Sequence, residues 1–203
     1  MLHKLHRSSA MIIGLFVLLH LVNHAAAFAG VQMHMEVMER LRGAYRHPLA
    51  ETLLLICVLF QIGSGLFFVV RRWGQRQGFF ELAQAASGAY LAFFLLVHVS
   101  AVLGGRYLLG LDTNFWFAAA GLNLLPYAFF FVPYYFLAVV AFFTHVACAL
   151  HWLTRERFSR LLRDRAAYAV MGSAVLFSAL LVTAFSGGFF PLEIPAEYLA
   201  TYQ

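Results

Sequence analysis

The sequence predicts an all-α integral membrane protein, a single bundle of five transmembrane helices with its N-terminus in the cytoplasm. Three observations predict it. Of the 203 residues, 63% are hydrophobic and only 11% are charged, whereas a soluble domain keeps about a quarter of its residues charged. Most of the surface therefore does not face water. Second, five apolar runs are each long enough to cross a hydrocarbon core of roughly 30 Å, which takes about 20 residues of helix. Third, the arginines cluster in short segments between these runs, so the net charge of +5 reads as membrane orientation and not as nucleic-acid binding.

The runs cover about Ser9–Gly30, Pro48–Val70, Ala83–Gly104, Pro126–Leu153 and Ala166–Phe190. Each must be helical, because an open strand would leave backbone donors unpaired in lipid. Pro48 and Pro126 stand at or near helix starts, where the missing N–H costs little. Pro133 lies within the fourth run and predicts a kink or a later start, and Gly187 and Gly188 close the fifth. The first run is too long for the apolar region of a cleavable signal peptide. Cys57 and Cys148 sit inside apolar runs and read as small apolar fillers, not as a disulfide.

Orientation follows from the basic residues. The N-terminal tail carries Lys4 and Arg7, the second loop Arg71, Arg72 and Arg76, and the fourth loop Arg155, Arg157, Arg160, Arg163 and Arg165. With five spans these lie on one side, which the positive-inside rule makes cytoplasmic. The third loop has only Arg106 and the C-terminal tail has no Lys or Arg. The first loop is an exception, with Arg40, Arg42 and Arg46 partly balanced by Glu36 and Glu39. The third loop, Tyr107 to Leu125, is rich in aromatic and Asn residues, which suits a short helix at the membrane interface.

Ionisable residues at membrane depth are costly and mark function. His20, His24, His98 and His145 lie well inside runs; His151 is near the end of the fourth, and His3, His6, His34 and His47 lie in tails or loops. Runs one and three point the same way. His20 and His98 fall within a turn or two of the same depth at about 1.5 Å of rise per residue, so they can face each other. His24, one turn beyond His20, is a second candidate on the same face. Two imidazoles from facing helices suit haem b, whereas structural zinc wants four ligands; copper held by two histidines stays open. His145 sits in the other half of the bundle. Run two, its natural partner, offers there only Gln61 and Ser64, so one haem is expected, and a second at His145 stays possible only with an unusual partner.

These residues resemble a family. The segment LHKLHRSSAMIIGLFVLLHLVNH is similar to the first helix of the five-helix, single-subunit membrane-anchor cytochrome b of succinate:quinone oxidoreductases and fumarate reductases, with His20-Leu21-Val22-Asn23 in place of its His-Leu-x-x-Asn-like element. Ser87-Gly88 followed by His98, and His145 within FFTHVACALHWL, resemble its third and fourth helices. Gln61-Ile62-Gly63-Ser64-Gly65 stands where the family has a histidine followed by small residues. The resemblance implies an outer haem on His20 and His98, and an inner haem whose helix-two ligand is replaced by Gln61.

It also implies exchange of electrons with a membrane quinone, cytoplasmic flavoprotein and iron–sulfur partner subunits, and a bacterial inner-membrane location. Quinone chemistry needs a proton-handling group, and Glu51, with His47 one turn before it, fits by position. His6 and Arg7 resemble an element that related anchors use near an inner quinone. Arg46, Arg106 and Tyr107 lie where an outer haem's propionates would point, and Gly14 and Gly88 would allow close approach. The chain carries no flavin or cluster motif, so no complete active site for succinate or fumarate is expected. The rivals are a stand-alone haem or quinone redox protein, and a haem-free structural subunit of a larger respiratory or photosynthetic assembly.

Overall fold

The computed structural model describes residues 1–202 and is helical throughout its long elements. Helix α1 (Leu2–Ala26) runs on through a 3₁₀ turn at Ala27–Ala29. Then come α2 (Val31–Tyr45), α3 (Pro48–Arg71), α4 (Phe79–Tyr107), α5 (Phe115–Asn123), α6 (Ala128–Leu153), α7 (Arg160–Phe185) and a single-turn α8 (Ala196–Leu199). Five of these, α1, α3, α4, α6 and α7, are long and apolar enough to span a bilayer. Their outward faces carry Leu15, Ile56, Leu59, Phe129 and Leu176, all exposed, which is stable only where lipid replaces water.

The spans pack in chain order, α1 on α3, α3 on α4, α4 on α6 and α6 on α7. The arc closes where Ala27–Ala29 meets α7. Small residues form the seams: Ala138, Ala141 and Ala147 of α6 and Ala167, Ala174 and Ala184 of α7 are buried, which lets backbones approach closely where no hydrophobic effect drives helices together. Polar bonds add to this. The Ser178 hydroxyl donates to Phe136 O (2.8 Å), Tyr90 to Tyr134 O (2.8 Å) and Tyr134 to Phe94 O (3.2 Å).

At the end that holds the chain's N-terminus, arginines finish the helices. Arg76 donates to Phe68 O and Val69 O, both 2.9 Å, and Arg163 donates to His151 O at 2.7 Å. These carbonyls belong to last turns that have no acceptor role left within their own helix. His151 bonds Asp164 (2.7 Å) and stacks on Phe80.

Three boundaries differ from the sequence reading. The basic N-terminal tail is helical from Leu2, so α1 begins well before Ser9. The fifth helix stops at Phe185, where Gly187 takes a positive φ of 77° that an L side chain rarely adopts. Pro133 neither ends nor delays α6, which begins at Ala128. The largest difference is the first loop, which is a 15-residue helix. α2 turns back over the bundle with His34 and Met38 buried. The helix expected in the third loop is present as α5, capped by Asn114, whose side chain accepts from Trp116 N at 2.9 Å. α5 is the best-buried element of the molecule. Phe115, Ala119 and Ala120 are fully buried, and Phe115 and Ala119 pack with Ala27, Leu122, Ala184 and Phe185, flanked by Val31 and Met35 of α2. α2 and α5 thus form a lid over one end of the bundle.

Candidate cofactor site

Beneath that lid lies a cavity of about 320 Å³ bounded by all five spans. This falls in the size range of small-molecule and cofactor pockets, about 300–1,000 Å³. Its walls are mainly apolar: Ile13, Val17, Leu55, Val58, Phe94 and Leu181 are among them. Polar groups enter at two levels. Near mid-span are His20 and His24 of α1 and His98 of α4; nearer the lid are Tyr45, Arg46, Glu51, Arg106, Thr113 and Asn114.

The two predicted ligands face each other. The ring centres of His20 and His98 are 6.2 Å apart, with planes at 64°. Two imidazoles on opposite sides of one metal ion, each bonded at about 2.0–2.1 Å with about 1.1 Å from nitrogen to ring centre, hold their centres about 6.3 Å apart. His98 stacks on Phe94 at 5.0 Å and makes no hydrogen bond among the described residues. A half-buried imidazole with free nitrogens, opposite a second at the bis-axial distance, fits an iron porphyrin. His20 Nε2 meanwhile lies 2.9 Å from His24 Nε2, so iron binding at that nitrogen must open this contact.

A fourth histidine joins from the lid. His24 Nδ1 is 3.2 Å from His34 Nε2, and the Asn23 amide lies 3.2 Å from the same nitrogen. His34 is only 2% exposed, wedged against Phe115 and Phe185. Its Nδ1 and the Asn23 Oδ1 are buried without partners. Burial first, then the charges of His20 and Arg42, push the His34 pKa from 6.5 down to about 4. The sequence reading places His34 in a loop. The spacing of Val31, His34, Met35 and Met38 matches one face of a helix and was the signal that could have placed it.

The charged rim is paired. Arg106 donates to the Glu51 carboxylate, so a predicted propionate partner and the predicted proton-handling acid hold each other. Arg46 donates to Thr113 Oγ1 (3.0 Å) and lies 3.6 Å from Asp112. Desolvation, Arg42 and Arg106 lower its pKa, the mark of a guanidinium short of counter-charge. Arg42 is better matched: desolvation opposes its charge, but Asp112 at 2.8 Å and Glu39 outweigh it, and the net shift is upward. Tyr107 stands beside Arg106, whose guanidinium lies 5.1 Å from its ring centre.

Arg7 and His47 are exposed and do not line the cavity. His145 is elsewhere too. Its Nδ1 lies 3.2 Å from Gln84 O and 3.3 Å from Ser87 Oγ, and a Cβ on Gly88 would come 3.0 Å from its Cε1. Gly88 therefore seats His145, whereas a Cβ on Gly14 would meet nothing within 4 Å, so Gly14 is not needed for close approach. Gln61 Oε1 is buried without a partner, and His6 bonds Ser64 Oγ at 2.7 Å. No second imidazole stands in ring contact with His145 among the described residues; His6 lies close enough to act on it electrostatically. Cys57 and Cys148 are both buried and free. No family model, no curated protein and no solved structure matches the chain.

Proposed function

We propose that this integral membrane protein is a mono-haem cytochrome b anchor, passing electrons between a cytoplasmic flavin and iron–sulfur dehydrogenase module and a membrane quinone, in the manner of succinate dehydrogenase or fumarate reductase anchors. One observation carries the reading: His20 and His98 oppose each other at the bis-axial separation across an apolar cavity walled by all five spans. A haem bound there supplies one-electron chemistry. His20 and His98 would hold its iron, with Phe94 stacked on the His98 ring.

At the rim, Arg46 with Thr113, and Arg106, would donate to the haem propionates. Glu51 exchanges a proton at its carboxylate when Arg106 turns to another anion, which gives quinone chemistry its proton-handling group at the cavity mouth. The basic end, with its arginine-capped helices, faces the cytoplasm of a bacterial inner membrane and meets the partner subunits.

The test is spectral. Purified protein is expected to carry one low-spin b-type haem per chain that His98→Ala and His20→Ala each remove; a haem retained in both variants sinks the ligand assignment. A second reading, a haem-free structural subunit, draws on the way His20, His24 and His34 bond one another. Purified protein without iron decides for it.

A further inference from the structure

The basic end of the bundle has a hollow of its own. Where the start of α1 meets the end of α3, a cleft of about 290 Å³ is lined by Leu2, His3, Phe67, Phe68, Arg71 and Arg72. His3 lies flat on Phe68, with 4.2 Å between ring centres and 3° between planes, which ties the two helices together. The Arg71 guanidinium rests over Phe67, 5.5 Å from its ring centre. A guanidinium held by its face keeps its N–H edge free to donate. Lys4 and Arg7 follow on the same end of α1.

These cations lack counter-charge. Elsewhere at this end the chain supplies partners: Arg155 lies 3.7 Å from Glu156, Arg160 lies 3.7 Å from Asp164, and Arg163 donates to His151 O. Lys4, Arg7, Arg71 and Arg72 are exposed and make no side-chain hydrogen bond or ion pair among the described residues. Their own segments offer no acid, since residues 1–35 and 52–80 contain no Asp or Glu. The depth is that of lipid headgroups. The first span, Leu2–Ala29, has 28 residues. At about 1.5 Å of rise each it is about 42 Å long, close to the roughly 40–45 Å of a bilayer with its headgroups and longer than the hydrocarbon core of roughly 30 Å. Its first turn therefore lies among headgroups. Beside the cleft, Leu5 of α1 and Leu66 and Val70 of α3 are exposed, a surface for acyl chains.

We propose that this cleft binds the headgroup of an anionic phospholipid, a phosphodiester that carries no cation of its own, as in phosphatidylglycerol. Arg71 and Arg72 donate to the phosphate oxygens, and Lys4 and Arg7 add positive field from α1. A zwitterionic headgroup gains less, because its ammonium meets the same cations. Charges that only orient a span need neither a cleft nor aromatic walls, and an acidic protein surface needs no apolar flank at headgroup depth. The site is separate from the cavity under the lid and does not depend on the haem reading.

The experiment titrates the purified chain, in an uncharged detergent, with phosphatidylglycerol or phosphatidylcholine and reads bound lipid by native mass spectrometry. Wild type is expected to favour phosphatidylglycerol about 10-fold or more. Arg71→Gln/Arg72→Gln is expected to weaken that binding about 10-fold and to bind phosphatidylcholine as before. Lys4→Gln/Arg7→Gln repeats the loss from the α1 side and serves if the first variant does not purify. Arg157→Gln/Arg165→Gln removes the same charge from exposed positions at the same end, away from the cleft, and is expected to change affinity by less than about twofold. An equal loss in this control overturns the proposal, because net charge then explains the preference. Equal affinity of wild type for the two lipids overturns it as well and leaves the cations to an acidic protein surface. Inorganic phosphate alone is expected to leave the unfolding temperature unchanged where phosphatidylglycerol raises it; an equal rise with both assigns the cleft to a soluble phosphate and overturns the lipid assignment.

Discussion

The two halves of the bundle use the same residue type in opposite ways. Under the lid, His98 has free nitrogens, an apolar cavity in front of it and a second imidazole at 6.2 Å. Toward the basic end, His145 of α6 is seated against α4, with Gln84 O, Ser87 Oγ and Gly88 against one edge. Depth in the membrane is costly for both. The lid half offsets that cost with a cavity suited to a ligand, the other half with hydrogen bonds inside the chain.

The largest expected effect breaks or upholds this contrast directly. His98→Ala should abolish haem binding, read as the haem-to-protein ratio. Glu51→Gln keeps the shape of the rim but removes the charge opposite Arg106; we expect quinone reactivity to fall about 10²-fold, the scale of a lost general acid–base group, with the haem spectrum unchanged. Loss of the spectrum as well would mean that the Arg106–Glu51 pair builds the cavity instead of serving its chemistry.

Packing of the lid can be tested without any ligand. A Cβ on Gly105 would come 2.7 Å from the Phe117 ring, where α4 meets α5. Gly105→Ala should destabilise by about 1–3 kcal/mol, the usual cost of overpacking, measured as thermal unfolding in detergent. Gly14→Ala, which faces open space, should stay within about 0.5 kcal/mol.

The pH response sharpens the picture of His34. Folding keeps this ring neutral with a pKa near 4, while the unfolded chain protonates it from 6.5. The unfolded state thus binds more protons between those values. The His34 contribution is intact above pH 6.5 and is lost as the pH falls through that window. Facing it are Asn23 and His24 of α1, with His20 and Arg42 nearby. The unfolding temperature of His34→Phe should fall less steeply than wild type between pH 6.5 and 4; parallel curves would show that His34 takes up a proton without cost. The smallest effect is expected at the other end. His145→Ala should change haem content by less than about twofold, since in this half the ring is satisfied by α4 and not by iron.

Much of this was legible in the chain. Helix number and order follow from run length and from the bilayer's demand that backbone groups pair locally. The facing of His20 and His98 follows from helix rise and from the parallel course of runs one and three. Glu51 and Arg106 were each placed at the rim, but assigned to different tasks, because two loop ends 55 residues apart give no hint that they meet. α2 was missed for a related reason: its polar face and two arginines read as a connecting loop, and only its burial against α5 and α7 makes it part of the core.

The sequence by itself determined that five apolar helices cross a membrane, which end is basic, and which histidines share a level, because these depend on composition, spacing and a fixed rise per residue. The tertiary structure alone decided that α2 and α5 close a lid over one end, that Arg106 and Glu51 neutralise each other, that His145 is met by its neighbours, and that His34 reaches His24. Those outcomes depend on which side chains from distant segments arrive at one place, and hydrogen bonds and ion pairs are made over about 3 Å, a distance that no periodicity along the chain encodes.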